Sequence, residues 1–221
     1  IVFIIRSCYS NFFMKESTLP FINPDLTIED ELLIVGNSNS LLNNYGSLID
    51  SFQMVFRFNR APLIGFEEHV GSKTNFRILN NHVFENINPG KEYSNQPKSF
   101  IRNIRNTNIL RIGPGEVNRK TIKYFERKKN QVYLFDYEYA EELKQKVNFK
   151  STKNMSVGAI MISLSLISGI KTNIIGFDLD KREVTHYWEQ RPKEMSLSHD
   201  FSFEKNWINA LVKENKINSL N

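Results

Sequence analysis

Two histidines near the carboxyl end of the chain stand where a proton could be moved. His186 opens His186-Tyr187-Trp188-Glu189, and His199 lies five positions ahead of Glu204. An imidazole with an ordinary pKa near 6.5 exchanges protons at neutral pH, and a neighbouring carboxylate can orient the ring. A pair of surface-loop histidines is the plainer alternative. His69 and His82 have no neighbours that suggest a site. Gly36-Asn37-Ser38 follows a short apolar run: the glycine lets a ligand approach the backbone closely, and Asn37 and Ser38 donate hydrogen bonds without adding charge. A capped strand-to-helix turn has the same composition. Asn59 follows a second apolar run and precedes Arg60-Ala61-Pro62, which turns the chain. Ser156 and Gly158 open a long apolar segment whose helical N-terminus would favour a carboxylate or phosphate, although glycine there also suits tight helix-to-sheet packing. Asp178-Leu179-Asp180 has the form of a metal-holding carboxylate pair, but a solvated loop accounts for it more simply.

These positions make sense on alternating strands and helices. Leu32 to Val35, Met54 to Phe58, Phe76 to Leu79, Ile109 to Ile112, Val132 to Phe135 and Thr172 to Ile175 read as strands. Helical spacing is expected from Leu41 through Ile49, from Glu116 to Asn130, from Ala140 to Val147, and from Phe203 to Glu214. Ser156 to Ile170 reads as a helix buried on most sides, with the serine as its cap. The alternation predicts βαβ units and a mostly parallel α/β sandwich, in which ligands gather where strands end and helices begin. Asn81 to Asn106 and Lys181 to Ser198 are long polar stretches, expected to be loops over a binding face.

Composition narrows the classes. With 40% hydrophobic and 24% charged residues over 221 positions, the chain can bury about 70% of its unfolded surface and needs no metal or disulfide to assemble a core. Cys8 is the one cysteine, so an internal disulfide and a cysteine-based zinc cluster are excluded. The 29 Lys and Arg against 24 Asp and Glu give a net charge of +5, compatible with an anionic ligand, but no dense basic run supports nucleic-acid binding. Arg6 interrupts the apolar opening well short of the ~20 residues of a membrane helix, so no membrane segment is expected within the chain. Neither G-x-G-x-x-G nor G-x-x-x-x-G-K-[ST] occurs.

The order of these segments resembles the sialyltransferases marked by four sialylmotifs. Ile34 to Asn80, IVGNSNSLLNNYGSLIDSFQMVFRFNRAPLIGFEEHVGSKTNFRILN, is similar to the large motif. Met155 to Phe177 is similar to the small motif, His186 to Glu189 to motif III, and His199 to Glu204 to the H-x4-E motif. The resemblance implies a Rossmann-like, mostly parallel sheet flanked by helices, the GT-A variant of these enzymes, with residues 1–30 as an N-terminal extension and 31–221 as the catalytic domain. It implies metal-independent, inverting transfer of sialic acid or a related sugar acid from its cytidine monophosphate (CMP) ester to a glycan hydroxyl, with no cofactor.

By the same resemblance, Asn37, Ser38 and Asn59 match donor-binding positions. Ser156 and Gly158 match positions that bind the donor's carboxylate or cytidine. His186 matches the residue facing the departing phosphate and His199 the general base, while Gly36, Tyr187 and Glu204 support them. The sequence departs from the family pattern at several points. About Leu32 and Gly169 stand where the family has a disulfide pair, Asn39 replaces a loop glycine, and Met155 stands where proline is usual. These departures leave room for another activated acid such as the Kdo ester, or for a module that binds nucleotide or glycan without transfer. A cytoplasmic location is expected, or the Golgi lumen if an N-terminal anchor precedes the chain.

Overall fold

A computed structural model describes residues 6–7, 31–87, 107–114, 117, 119–177, 183–184, 186–189, 193–194 and 198–220. Six largely apolar runs, each long enough for one strand, form the centre of an eight-stranded sheet whose two edge strands are short and polar. Its strands are β1 (Arg6–Ser7), β2 (Glu31–Val35), β3 (Met54–Phe58), β4 (Phe76–Asn80), β5 (Asn108–Gly113), β6 (Val132–Asp136), β7 (Lys171–Ile175) and β10 (Asn218–Ser219). Their spatial order is β1-β6-β5-β4-β3-β2-β7-β10. All neighbours are parallel except β1 against β6. A separate antiparallel pair joins β8 (Glu183–Val184) to β9 (Lys193–Glu194), so the stretch expected as a loop from Lys181 contains a small hairpin.

The order has a functional consequence. From β2 the chain adds strands outward to β6, then returns and lays β7 on the other flank of β2. The strand order thus reverses between β2 and β7, and the carboxyl ends of strands at such a reversal are the usual ligand position in an open parallel sheet.

Both sheet faces are covered, which is why the strands read as nearly continuous apolar runs. One face carries Leu32, Ile34, Phe56, Phe58, Phe76, Ile78, Leu110 and Ile112. Against it pack side chains of the helices at Ala140–Lys146, Val157–Ile167 and Phe201–Lys213, among them Leu143, Ile160, Leu164, Trp207 and Leu211. The other face carries Leu33, Val35, Val55 and Ile175 under Leu41, Ile49, Val70 and Tyr187. A second patch there joins Leu79, Ile109 and Val132 to Val83, Phe84 and Phe125.

Several element boundaries differ from the sequence expectation for local reasons. Leu41 through Ile49 is a 3-10 turn, Asn39–Leu42, followed by helix Gly46–Ser51, because Asn44 takes φ 63 between them. Gly46 has no room for a side chain: a Cβ would stand 2.2 Å from the Glu67 carbonyl oxygen. The helix expected from Glu116 spans Arg119–Glu126, and Lys129 at φ 60 lies just past its end. Asn81, expected to begin a loop, begins the helix Asn81–Glu85, capped by Asn80 Oδ1, which accepts the Val83 N–H at 2.7 Å. Glu67–Val70 adds a short helix the spacing does not announce. Among the described residues no helix is long and apolar enough to cross a membrane.

Candidate active site

The carboxyl ends of β2 and β7 meet at two glycines. Gly36 donates its N–H to Ile175 O at 2.7 Å and Ser38 donates to Gly176 O at 3.1 Å, which zips the loop after β2 onto the end of β7. A Cβ on Gly36 would stand 2.1 Å from the Gly176 carbonyl oxygen, so this approach is open to glycine alone. Phe177 then acts as a hub. Its ring would lie 3.1 Å from a Cβ at Gly36 and 3.0 Å from one at Gly158, and it meets Phe58 edge to face at 6.2 Å. Glycine at 36 and 158 thus lets the loop after β2, the start of helix Val157–Ile167 and the end of β3 share one aromatic support.

Asn37 sits at the mouth of this junction. Its carbonyl accepts the Tyr187 N–H at 3.1 Å, and its side-chain Oδ1 is buried without a hydrogen-bond partner among the described residues. An orphaned buried amide oxygen is costly unless a ligand supplies the donor. Asn59 ends β3 in the left-handed region, φ 46, which asparagine tolerates. Its N–H donates to Ile78 O at 2.7 Å and its Oδ1 accepts the Asn80 N–H at 3.0 Å, leaving its NH2 group without a partner among the described residues.

His186 pairs through its backbone with Ser38, which sets the ring beside the glycine-bearing loop. Its Nδ1 lies 2.9 Å from Glu189 Oε2, and Trp188 stacks on it at 4.5 Å with planes 5° apart. The carboxylate fixes Nδ1 as the donor, so Nε2 is the nitrogen left for chemistry. Tyr187 beside it is buried, donates its hydroxyl to Pro62 O and packs edge to face on Phe66 at 5.2 Å. Burial pushes its phenol up to about 12, against the pull of Arg57 and Arg77.

His199 is held differently. It bridges to Asn154, whose carbonyl oxygen lies 3.0 Å from His199 Nδ1. A carbonyl only accepts, so Nδ1 carries the hydrogen and the neutral ring presents the Nε2 lone pair. Two residues past Asn154, Ser156 caps helix Val157–Ile167: its Oγ accepts the Ala159 N–H at 3.1 Å and donates to Glu204 Oε2 at 2.7 Å. Glu204, 2% exposed, also accepts the Ser156 N–H at 2.6 Å. Burial raises its carboxyl above the ordinary value, opposed by the two Ser156 hydrogen bonds and by the charge of His199.

The sequence-marked residues therefore fall into two linked groups. Backbone pairing joins Gly36, Asn37, Ser38, His186 and Tyr187; hydrogen bonds join Ser156, Glu204 and, through Asn154, His199; Phe177 ties Gly158 and Asn59's strand to the first group. The hydroxyl hydrogen of Ser156 is committed to Glu204, so it is not available to donate to a ligand. His69 and His82 take no part, His82 Nδ1 lying against Asn86. Asp178 and Asp180 lie outside the described residues. Sequence reasoning missed Asn154, which acts through a carbonyl and has no side-chain signature, and the hub role of Phe177, for which the aromatic after a strand-ending glycine is the only hint.

Residues 29–216 match the pattern of glycosyltransferase family 29 (sialyltransferase). The chain belongs to this family. A mouse CMP-N-acetylneuraminate-beta-galactosamide-alpha-2,3-sialyltransferase 2 is 26% identical over 191 residues, covering 83% of this chain and 55% of the relative. The mouse sialyltransferase 1 of the same description is 30% identical over 207 residues, covering 90% and 61%. The chain thus spans little more than half the length of these relatives. A β-1,6-galactosyltransferase of Arabidopsis thaliana is 49% identical over a shorter stretch of 51 residues, 23% of this chain and 13% of that protein. The crystal structure of a mammalian sialyltransferase superposes with TM-score 0.65 at 21% identity, covering 92% of this chain and 73% of that one, a likeness of fold.

Proposed function

We propose that this family 29 chain transfers sialic acid, or a related sugar acid, from its CMP ester to a glycan hydroxyl with inversion at the anomeric carbon. The observation that carries the reading is the His199 hydrogen bond to the Asn154 carbonyl, which leaves an imidazole lone pair as a base. In the step, the acceptor O–H gives its proton to His199 Nε2 and its oxygen bonds to the anomeric carbon. The bond from that carbon to the phosphate oxygen breaks, and CMP leaves with the electron pair. Charge building on the phosphate is met by His186 Nε2–H when the ring is protonated, with Glu189 sharing the positive charge, and by the Asn59 amide. The N–H groups at the start of helix Val157–Ile167 suit the donor carboxylate. CMP is an adequate leaving group, so the step is written without a metal.

Incubation with CMP-sialic acid and galactose-ended glycans is expected to release CMP and elongate the acceptor. CMP-Kdo and a uridine diphosphate galactose donor are run beside it, the latter because of the local similarity to the galactosyltransferase. Tight CMP binding with no transfer from any of the donors would instead identify a binding module, and transfer from the galactose donor alone would reassign the nucleotide.

A further inference from the structure

Beneath the loop that carries Asn59, two arginines stand side by side inside the protein. Arg57 and Arg77 are register partners in β3 and β4 and each is 1% exposed. Arg57 is well used: Nε donates to Lys73 O at 3.0 Å and Nη2 to Val70 O at 2.5 Å. Arg77 is not. Its Nη1 donates to Ala61 O at 3.1 Å, while its Nε and Nη2 are buried without acceptors among the described residues. Burial lowers both guanidinium groups, Arg57 to about 10 and Arg77 to about 9, the charge of Arg57 adding to the effect on Arg77. A buried cation with unmet donors costs stability, and an apolar side chain of similar shape is often as stable or more so. Packing alone therefore gives no reason for an arginine at this position.

What Arg77 reaches is the reason. Ala61 and Pro62 follow Asn59 by two and three residues, and their consecutive carbonyls are gripped by two different elements. Arg77 holds Ala61 O from the sheet, and the Tyr187 hydroxyl holds Pro62 O from the segment that carries His186. Tyr187 in turn donates its N–H to Asn37 O. We propose that Arg77 is a positioning residue for the donor side of the site: through the Ala61 carbonyl, and together with Tyr187 at Pro62, it sets the distance between Asn59 and His186. The proposal rests on the donor-side reading of Asn59 and His186.

Its test uses CMP as the probe. Calorimetric CMP affinity, donor KM, kcat and Tm are measured for the unaltered chain and for Arg77→Met, Arg77→Lys, Tyr187→Phe and the Met/Phe double variant. Arg77→Met is expected to keep or raise Tm while weakening CMP and raising donor KM about ten-fold, with a kcat loss smaller than that of His186→Ala, since the donor-side groups are displaced and not removed and His199 is held elsewhere. Arg77→Lys, which can still reach a carbonyl, recovers part of the loss. Tyr187→Phe shifts KM the same way, and the double variant falls short of the product of the single effects because both side chains act on one loop. Unaltered CMP affinity in folded Arg77→Met overturns the proposal. If Arg77→Met fails to fold, Tyr187→Phe decides: weakened CMP binding supports the proposal and unaltered binding overturns it. Failure of the unaltered chain to bind CMP removes the donor reading and this inference with it, whereas CMP binding indifferent to Arg77 removes this inference alone.

Discussion

The two histidines are held by opposite faces of the sheet, and the difference lies in what stands behind each ring. His186 belongs with the face that buries Tyr187, and a carboxylate 2.9 Å away receives its Nδ1–H. His199 belongs with the helical face, and a neutral carbonyl at 3.0 Å receives its Nδ1–H. Both partners fix the tautomer. Only the carboxylate can share a positive charge, so one ring is suited to stay near a developing phosphate anion as a cation and the other to accept a proton. One residue type serves two tasks because its partner differs.

That contrast can be broken by substitution. His199→Ala is expected to lower kcat by about 10²- to 10⁴-fold with CMP affinity unchanged, measured by single-turnover kinetics beside calorimetry; an active variant would remove the general-base assignment. His186→Ala is expected to cost about 10²-fold in kcat and, unlike the first, to weaken CMP binding, because the proposed role places it on the nucleotide side. Identical binding profiles for the two variants would erase the distinction between the faces.

A gentler probe is acid. On the His186 face, burial would raise Asp50, but hydrogen bonds from Ser72 N, Lys73 N and Ser72 Oγ and the charge of Arg57 outweigh it and hold the carboxyl below 3.8. Its contribution to stability is therefore present above pH 3.8 and lost as pH falls through the lowered folded value. On the His199 face Glu204 is raised above 4.5, so its ionisation costs stability as pH rises from 4.5 through the folded value, and that cost is absent in more acid solution. Asp50→Asn should flatten the acid limb of a stability curve measured by urea unfolding between about pH 2 and 5, a small effect because Asp50 is only half-buried and solvent screens it. An unchanged acid limb would show that the Asp50 bonds carry no weight.

The cores of these elements were legible for identifiable reasons. Met54 to Phe58 is readable as a strand because four of its five residues are large and apolar, Arg57 being the exception, and polar positions bound it. Ser156 was readable as a cap because a hydroxyl before eleven helical residues has few other uses. The helix break at Asn44 was not, since a left-handed asparagine has no signature against an asparagine inside a helix. The resemblance names candidate site residues, but not what each atom does: it implies a donor role for Ser156, whose hydroxyl is engaged by Glu204.

By itself, then, the chain's own pattern determined the six central strands and the main helices, because periodicity and caps are local properties of neighbouring side chains. Only the tertiary structure decided that β7 returns beside β2, that His199 rests on a carbonyl and His186 on a carboxylate, and that Arg77 ends at Ala61. Those are contacts between residues far apart along the chain, several of them with backbone atoms that every residue possesses, and no side-chain type announces them.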